Sequence, residues 1–163
     1  MEGTMIGTIF KALSIFIVVV AITGFVGLFI MAGVASTHDV VPIPVPSQSY
    51  LATLQGDYTA AFRAPLMYNT YRTIDRVAEE AFVLGGKEIH RGEDEVVYEG
   101  YRGGIRYFTS YMLDRKTNPN TLTTVTLVRL HGTKSAYLWK AIRPVHKRLA
   151  PYLLDRMAQA APD

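Results

Sequence analysis

From Ala12 to Ser36 the chain reads ALSIFIVVVAITGFVGLFIMAGVAS, an apolar run broken only by the small polar side chains Ser14 and Thr23 before it ends at Ser36. About 20 apolar residues suffice to cross the hydrocarbon core as a helix, which satisfies its own backbone hydrogen bonds in lipid. The pattern predicts a transmembrane helix over 12–36, preceded by a flank, 1–11, that ends on Lys11. Val34-Ala35-Ser36 would suit a signal peptidase, but the apolar core is longer than the roughly 7–15 residues of a signal peptide. The run is read as an uncleaved anchor. Gly7, Ser14 and Ala21 recur every seventh position on one face, with Gly24 a turn further. Small residues let a second helix approach closely in a bilayer, so these four are the candidate helix-packing positions.

The pattern then changes. Pro42, Pro44 and Pro46 alternate in VVPIPVPS at 40–47, which excludes helix and inner strand. Residues 37–47 are read as a Pro-rich, polyproline-like linker to a domain at 48–163. Alternation at 57–64 predicts a strand. Helical spacing over 69–84 places Tyr71, Ile74, Ala78, Ala81 and Phe82 on one side, with Asn69 or Thr70 as cap and Gly85-Gly86 as stop. Strand-like runs follow at 87–91, 95–100, 104–115 and 121–131, separated by Arg91–Asp94, Gly103-Gly104 and Asn118–Asn120. The last two, rich in Tyr, Thr and Val, read as an antiparallel hairpin. Residues 134–160 return to helical spacing, with Leu138, Ile142, Val145, Leu149, Tyr152 and Met157 as the apolar stripe. Pro144 and Pro151 predict a bent or broken helix lying on the sheet. The order gives an α+β fold: a small antiparallel sheet packed on a long C-terminal helix.

Two segments carry a resemblance. LTTVTLVRLHGTKSAYLWKAIRPVHKRLAPYLLDRMA at 122–158 includes the step Arg143-Pro144-Val145-His146. It resembles the end of a bacterial family of uncharacterised domains in the START-like, helix-grip superfamily. DYTAAFRAPL at 57–66 resembles the opening strand of that family. The resemblance implies a curved sheet wrapped around the C-terminal helix, in folds that often enclose an apolar ligand. The middle of this chain is short for a complete helix-grip sheet, so a reduced version is implied. No catalytic residue is carried over, and fold alone fixes no function.

Composition narrows the chemistry. The chain has 163 residues, no cysteine and 49% apolar residues, which excludes disordered tails, disulfide frameworks and thiol chemistry. His38, His90, His131 and His146 form no recognised metal-ligand spacing, although His131 and His146 flank the strand-to-helix junction. Glu93, Asp94 and Glu95, with Glu88 and Glu99 nearby, lack calcium-loop spacing and read as a solvated hairpin tip. Gly100–Gly104 is a turn rather than a phosphate loop, and no serine sits in GxSxG. No enzyme activity, cofactor or metal is expected.

Charge is unevenly distributed. Residues 75–99 carry eight acids and three bases, whereas 101–163 carry eleven bases and three acids. Lys140, Arg143 and Lys147 recur at helical spacing, with Arg148 beside them. They are either a solvated face or a contact for anionic lipid headgroups or an acidic partner. Tyr107 and Tyr111 share one face of the 104–115 strand and Phe108 and Met112 the other. Both faces are partly apolar, so a partner or ligand is expected on one, with Tyr107 and Tyr111 as candidate partner or headgroup contacts beside the four basic residues.

The expected function is a non-catalytic, single-span accessory subunit. Its helix and extrinsic domain would pack against other integral membrane subunits of a larger complex, of the photosynthetic or respiratory electron-transport kind. The alternative is a membrane-tethered module for a lipid, quinone or other apolar ligand. Lys11 before the span, with no basic residue after it until Arg63, favours a cytoplasmic N-terminus and a periplasmic domain. Nucleic acid is not an expected partner.

Overall fold

The computed structural model describes residues 39–68, 73–81 and 86–160. The chain divides after Ser36, and the unit described is the second, Thr37–Asp163. The predicted span 12–36 and its positions Gly7, Ser14, Ala21 and Gly24 lie outside the described residues. So do His38 and Asn69, Thr70, Tyr71, Phe82 and Gly85 of the first predicted domain helix and its flanks. No helix among the described residues is long and apolar enough to cross a membrane.

Six strands form one antiparallel sheet. They are β1 (Val41–Ile43), β2 (Tyr58–Pro65), β3 (Lys87–Arg91), β4 (Glu95–Arg102), β5 (Ile105–Asp114) and β6 (Thr121–Leu130). Their spatial order is β1-β2-β6-β5-β4-β3. Consecutive hairpins link β3 to β6, and β2 closes against β6 from Tyr58↔Val128 to Pro65↔Thr121. A 3-10 turn, Tyr50–Thr53, precedes β2; helix α1 (Ile74–Glu80) lies between β2 and β3; helix α2 (Thr133–Gln159) ends the fold.

Local chemistry explains the elements. Thr73 caps α1, its hydroxyl accepting from the Arg76 amide at 3.3 Å. Gly103 and Gly104, at φ 59° and 78°, supply the two-residue turn between β4 and β5. This turn is shorter than the Gly100–Gly104 turn expected, because β4 continues through Gly100 to Arg102. The β5–β6 hairpin turns at Arg115–Asn120, where the Asn118–Pro119 peptide is cis. Helix α2 runs unbroken through both Pro144 and Pro151, so of the expected bent or broken helix the broken form does not occur.

Strand alternation divides the sheet into two faces. Val96, Tyr98, Gly100, Tyr107, Thr109, Tyr111, Thr124, Thr126 and Val128 share the face that carries the helices. Glu95, Val97, Phe108, Ser110, Val125 and Leu127 share the other. A partner or ligand was expected on one of the two faces, with Tyr107 and Tyr111 as contacts; the chain itself covers the face that carries Phe108. Ile43, Val45, Leu51 and Leu54 pack there against Ala61, Val97, Phe108, Val125 and Leu127. Leu51 is fully buried, which contributes about 2 kcal/mol. The stretch expected to be a free spacer therefore runs along the sheet, and its alternating prolines leave room for the edge strand β1.

A buried carboxylate fastens this strap. Glu95, only 8% exposed, accepts from Ser49 Oγ at 2.8 Å, from the Tyr50 amide at 2.9 Å and from Ser110 Oγ. Ser49 in turn accepts from the Leu51 amide at 3.2 Å. The acidic run is thus not uniformly solvated: Glu93 and Asp94 are exposed, but alternation turns Glu95 inward.

On the helix-bearing face, α2 is anchored at both ends. Ser135 and Trp139 are buried near its start, and Leu154, Met157 and Ala158 near its end. The last three join α1 through Ile74 and Val77, and the sheet through Val96, Tyr111, Leu113 and Leu122. Trp139 packs instead with Ile105 and Val128. Between these two clusters Ile142, Val145, His146, Leu149 and Ala150 are only half-buried. The helix meets the sheet closely at its ends and stands off in its middle.

Candidate functional site

The space beneath the middle of α2 is a partly open cavity of about 400 Å³. Its floor is made by Ile105, Tyr107, Thr109 and Tyr111 of β5 and by Thr124, Thr126 and Val128 of β6. Its roof is Leu138, Trp139, Ile142, His146, Leu149, Ala150 and Leu153 of α2, and Arg102 stands at the end of β4. The walls are almost entirely apolar. Three floor positions are threonine and one roof position is alanine, short side chains that leave volume between the helix and the sheet.

Tyr107 is held by its neighbour across the strands. Gly100 pairs with it, and a side chain at Gly100 would overlap the tyrosine ring. The glycine therefore lets the Tyr107 ring lie over β4. Burial raises the Tyr111 hydroxyl well above the ordinary phenol value, with the nearby Tyr98 adding to it. Tyr98 itself donates to the Ala78 carbonyl at 3.2 Å, tying β4 to α1.

An aromatic cluster closes one wall. Tyr58 and Trp139 lie 5.1 Å apart between ring centroids, Trp139 and His146 5.7 Å, and Tyr58 and His146 5.8 Å edge to face. The Arg143 guanidinium sits 5.0 Å over the Tyr58 ring. Burial raises the Tyr58 hydroxyl, and Arg143 offsets part of that rise. His146 Nε2 is 3.1 Å from Thr126 Oγ1. Its Nδ1, like Trp139 Nε1, is enclosed without a hydrogen-bond partner among the described residues. Burial lowers the imidazole to about 4, so it is neutral at pH 7.

The residues singled out in the sequence fall in two places. Tyr107 and Tyr111 line the cavity; Tyr111 is only 4% exposed and Tyr107 half-buried. Lys140, Arg143, Lys147 and Arg148 are exposed on α2. His131 and His146 do not come together: His131 lies near the Tyr101 ring, whereas His146 contacts Thr126. Sequence reasoning missed Arg102, Trp139 and His146 as site residues. Trp139, Ile142, His146, Leu149 and Leu153 form a helical stripe one position out of phase with the expected one. The two share Ile142 and Leu149, but the expected Leu138 is 43% exposed and Trp139 is buried in its place.

No carboxylate, lysine or serine lines the cavity among the described residues. No group of His, Asp and Glu among them is placed to hold a metal ion. The arrangement suits enclosure of an apolar molecule, since pockets of roughly 300–1,000 Å³ with few polar groups are typical small-molecule sites. Compared with known proteins, the chain matches no family model, no curated protein and no solved structure.

Proposed function

We propose that the domain is a binding module for an apolar small molecule, built on a reduced helix-grip plan and tethered to a membrane by residues 12–36. The observation that carries this reading is the apolar cavity between the middle of α2 and the β5–β6 floor. A sheet collapsed onto the helix would have left no such space. The strand order supports the plan: β2 lies beside β6, and the long C-terminal helix crosses the sheet. A lipid tail or a quinone ring has the required chemistry. The cavity takes precedence over a bracing role in a photosynthetic or respiratory complex. That role drew in part on the two apolar sheet faces, one of which the chain's own strap covers.

Trp139 is the single tryptophan of the chain and lies in the cavity wall, so its fluorescence reports occupancy. The full chain in a non-ionic amphipol should show a saturable change in that signal with apolar probes such as decanol or a short-tailed quinone. Ala150→Phe, which fills the roof, should abolish the change while preserving the circular dichroism spectrum. Absence of saturation with every probe, together with no small molecule retained in native mass spectrometry, would remove this reading.

A further inference from the structure

We propose that the cavity takes an amphipathic monoanion, a single-chain carboxylate whose hydrocarbon body fills the space and whose head group pairs with Arg102. This inference rests on the binding-module reading and adds the class of ligand.

Arg102 is the one charged residue lining the cavity among the described residues. It is the last residue of β4, on the helix-bearing face, immediately before the Gly103-Gly104 turn. Across from that turn stands Leu138, whose Cδ2 would lie 3.1 Å from a Cβ at Gly103. Arg102 and Leu138 are both exposed while lining the cavity, so they mark where it opens to solvent.

Three other arginines of the sheet and its turns are already matched. Arg91 binds Asp75 and Glu88, Arg106 binds Glu99, and Arg115 binds Asp94. The Arg102 side chain makes no ion pair and no hydrogen bond among the described residues, its backbone pairing with Ile105. A guanidinium offers a planar fork that fits a carboxylate with two parallel hydrogen bonds. One such group, with no second cation in the lining, matches a single negative charge better than a phosphate dianion.

The interior fixes the orientation. A charge placed deep in the cavity would meet carbon, the neutral hydroxyl groups of tyrosine and threonine and a neutral His146, with no counter-charge. Burying an ion without a counter-charge is costly. The head must stay at the mouth, and the tail must enter.

The test compares two probes of equal chain length, decanoate and decanol, at pH 8 on the full chain in a non-ionic amphipol. Trp139 fluorescence reads binding. The unsubstituted protein should bind decanoate about tenfold more tightly than decanol. Arg102→Gln should remove that advantage and leave decanol binding unchanged, which also shows that the cavity is intact. Added salt should weaken decanoate binding alone. Equal binding of both probes, with Arg102→Gln without effect, would overturn the anionic ligand while leaving the binding module standing. Failure of both probes to bind would overturn the module and this inference with it.

Discussion

His146 Nε2 lies 3.1 Å from Thr126 Oγ1, so the raised middle of α2 reaches the floor of the cavity through one polar contact. The imidazole is otherwise surrounded by Tyr58 and Trp139 and is neutral in the folded protein. Burial holds its pKa at about 4, against about 6.5 in an unfolded chain. As pH falls, the unfolded chain takes up the proton first. Stability that is present above pH 6.5 is therefore lost as pH drops toward 4. The loss from this group amounts to about 3 kcal/mol. Urea unfolding of the unsubstituted protein and of His146→Gln should show a stability difference that shrinks by that amount between pH 7 and pH 4. A pH-independent difference would mean that the native imidazole binds protons as readily as the unfolded one.

Glu95 joins the strap to the sheet through three donors, those of Ser49, Tyr50 and Ser110. Glu95→Ala leaves them without an acceptor, and each unsatisfied buried group is costly. The expected destabilisation is about 3 kcal/mol, with a smaller loss for Glu95→Gln, which keeps one acceptor oxygen. Limited proteolysis should then cut within 44–56 in Glu95→Ala and spare the unsubstituted protein. Resistance of both to cleavage would show that apolar packing alone holds the strap.

Gly100 and Tyr107 should behave as a coupled pair. Gly100→Ala places a methyl group where the Tyr107 ring lies. The overlap should cost about 1–3 kcal/mol. In a Tyr107→Ala background the same substitution should cost almost nothing. A double-mutant cycle of chemical denaturation measures the coupling, and additive effects would contradict the arrangement.

Gly132 isolates backbone strain from crowding. It precedes α2 with φ 89° and ψ 172°, a region nearly exclusive to glycine, and an added Cβ would meet nothing within 4 Å. Gly132→Ala should still cost about 1–3 kcal/mol. A thermal melt unchanged from that of the unsubstituted protein would show that the junction relaxes freely to another conformation.

The strands were largely legible because alternation over β2 and β3 to β6 is a local property. The predicted ends agree with the observed ones to within two residues. The first helix spans only Ile74–Glu80 among the described residues, less than the 69–84 that helical spacing suggested. The strap was not legible, because alternating prolines were read only for what they forbid. Val41, Ile43 and Val45 also alternate, and that period marks an edge strand. The helix stripe came out one position off because α2 is apolar across both candidate stripes. Only the floor it spans decides that Trp139 rather than Leu138 turns inward. The cavity depends on tertiary placement: Thr109, Thr124 and Thr126 on adjacent strands look like ordinary strand residues until α2 is laid across them.

The margins of the sheet have a consequence for crowded surroundings. On one side lies β1, three residues long with an imino nitrogen at Pro42. On the other lies β3, with an irregularity between Glu88 and His90 and an Arg91 engaged with Asp75 and Glu88. Neither ribbon offers a neighbouring copy a long, straight row of free amides. Concentrated together, these domains should remain separate bodies, without the cross-β fibrils that bare strands nucleate.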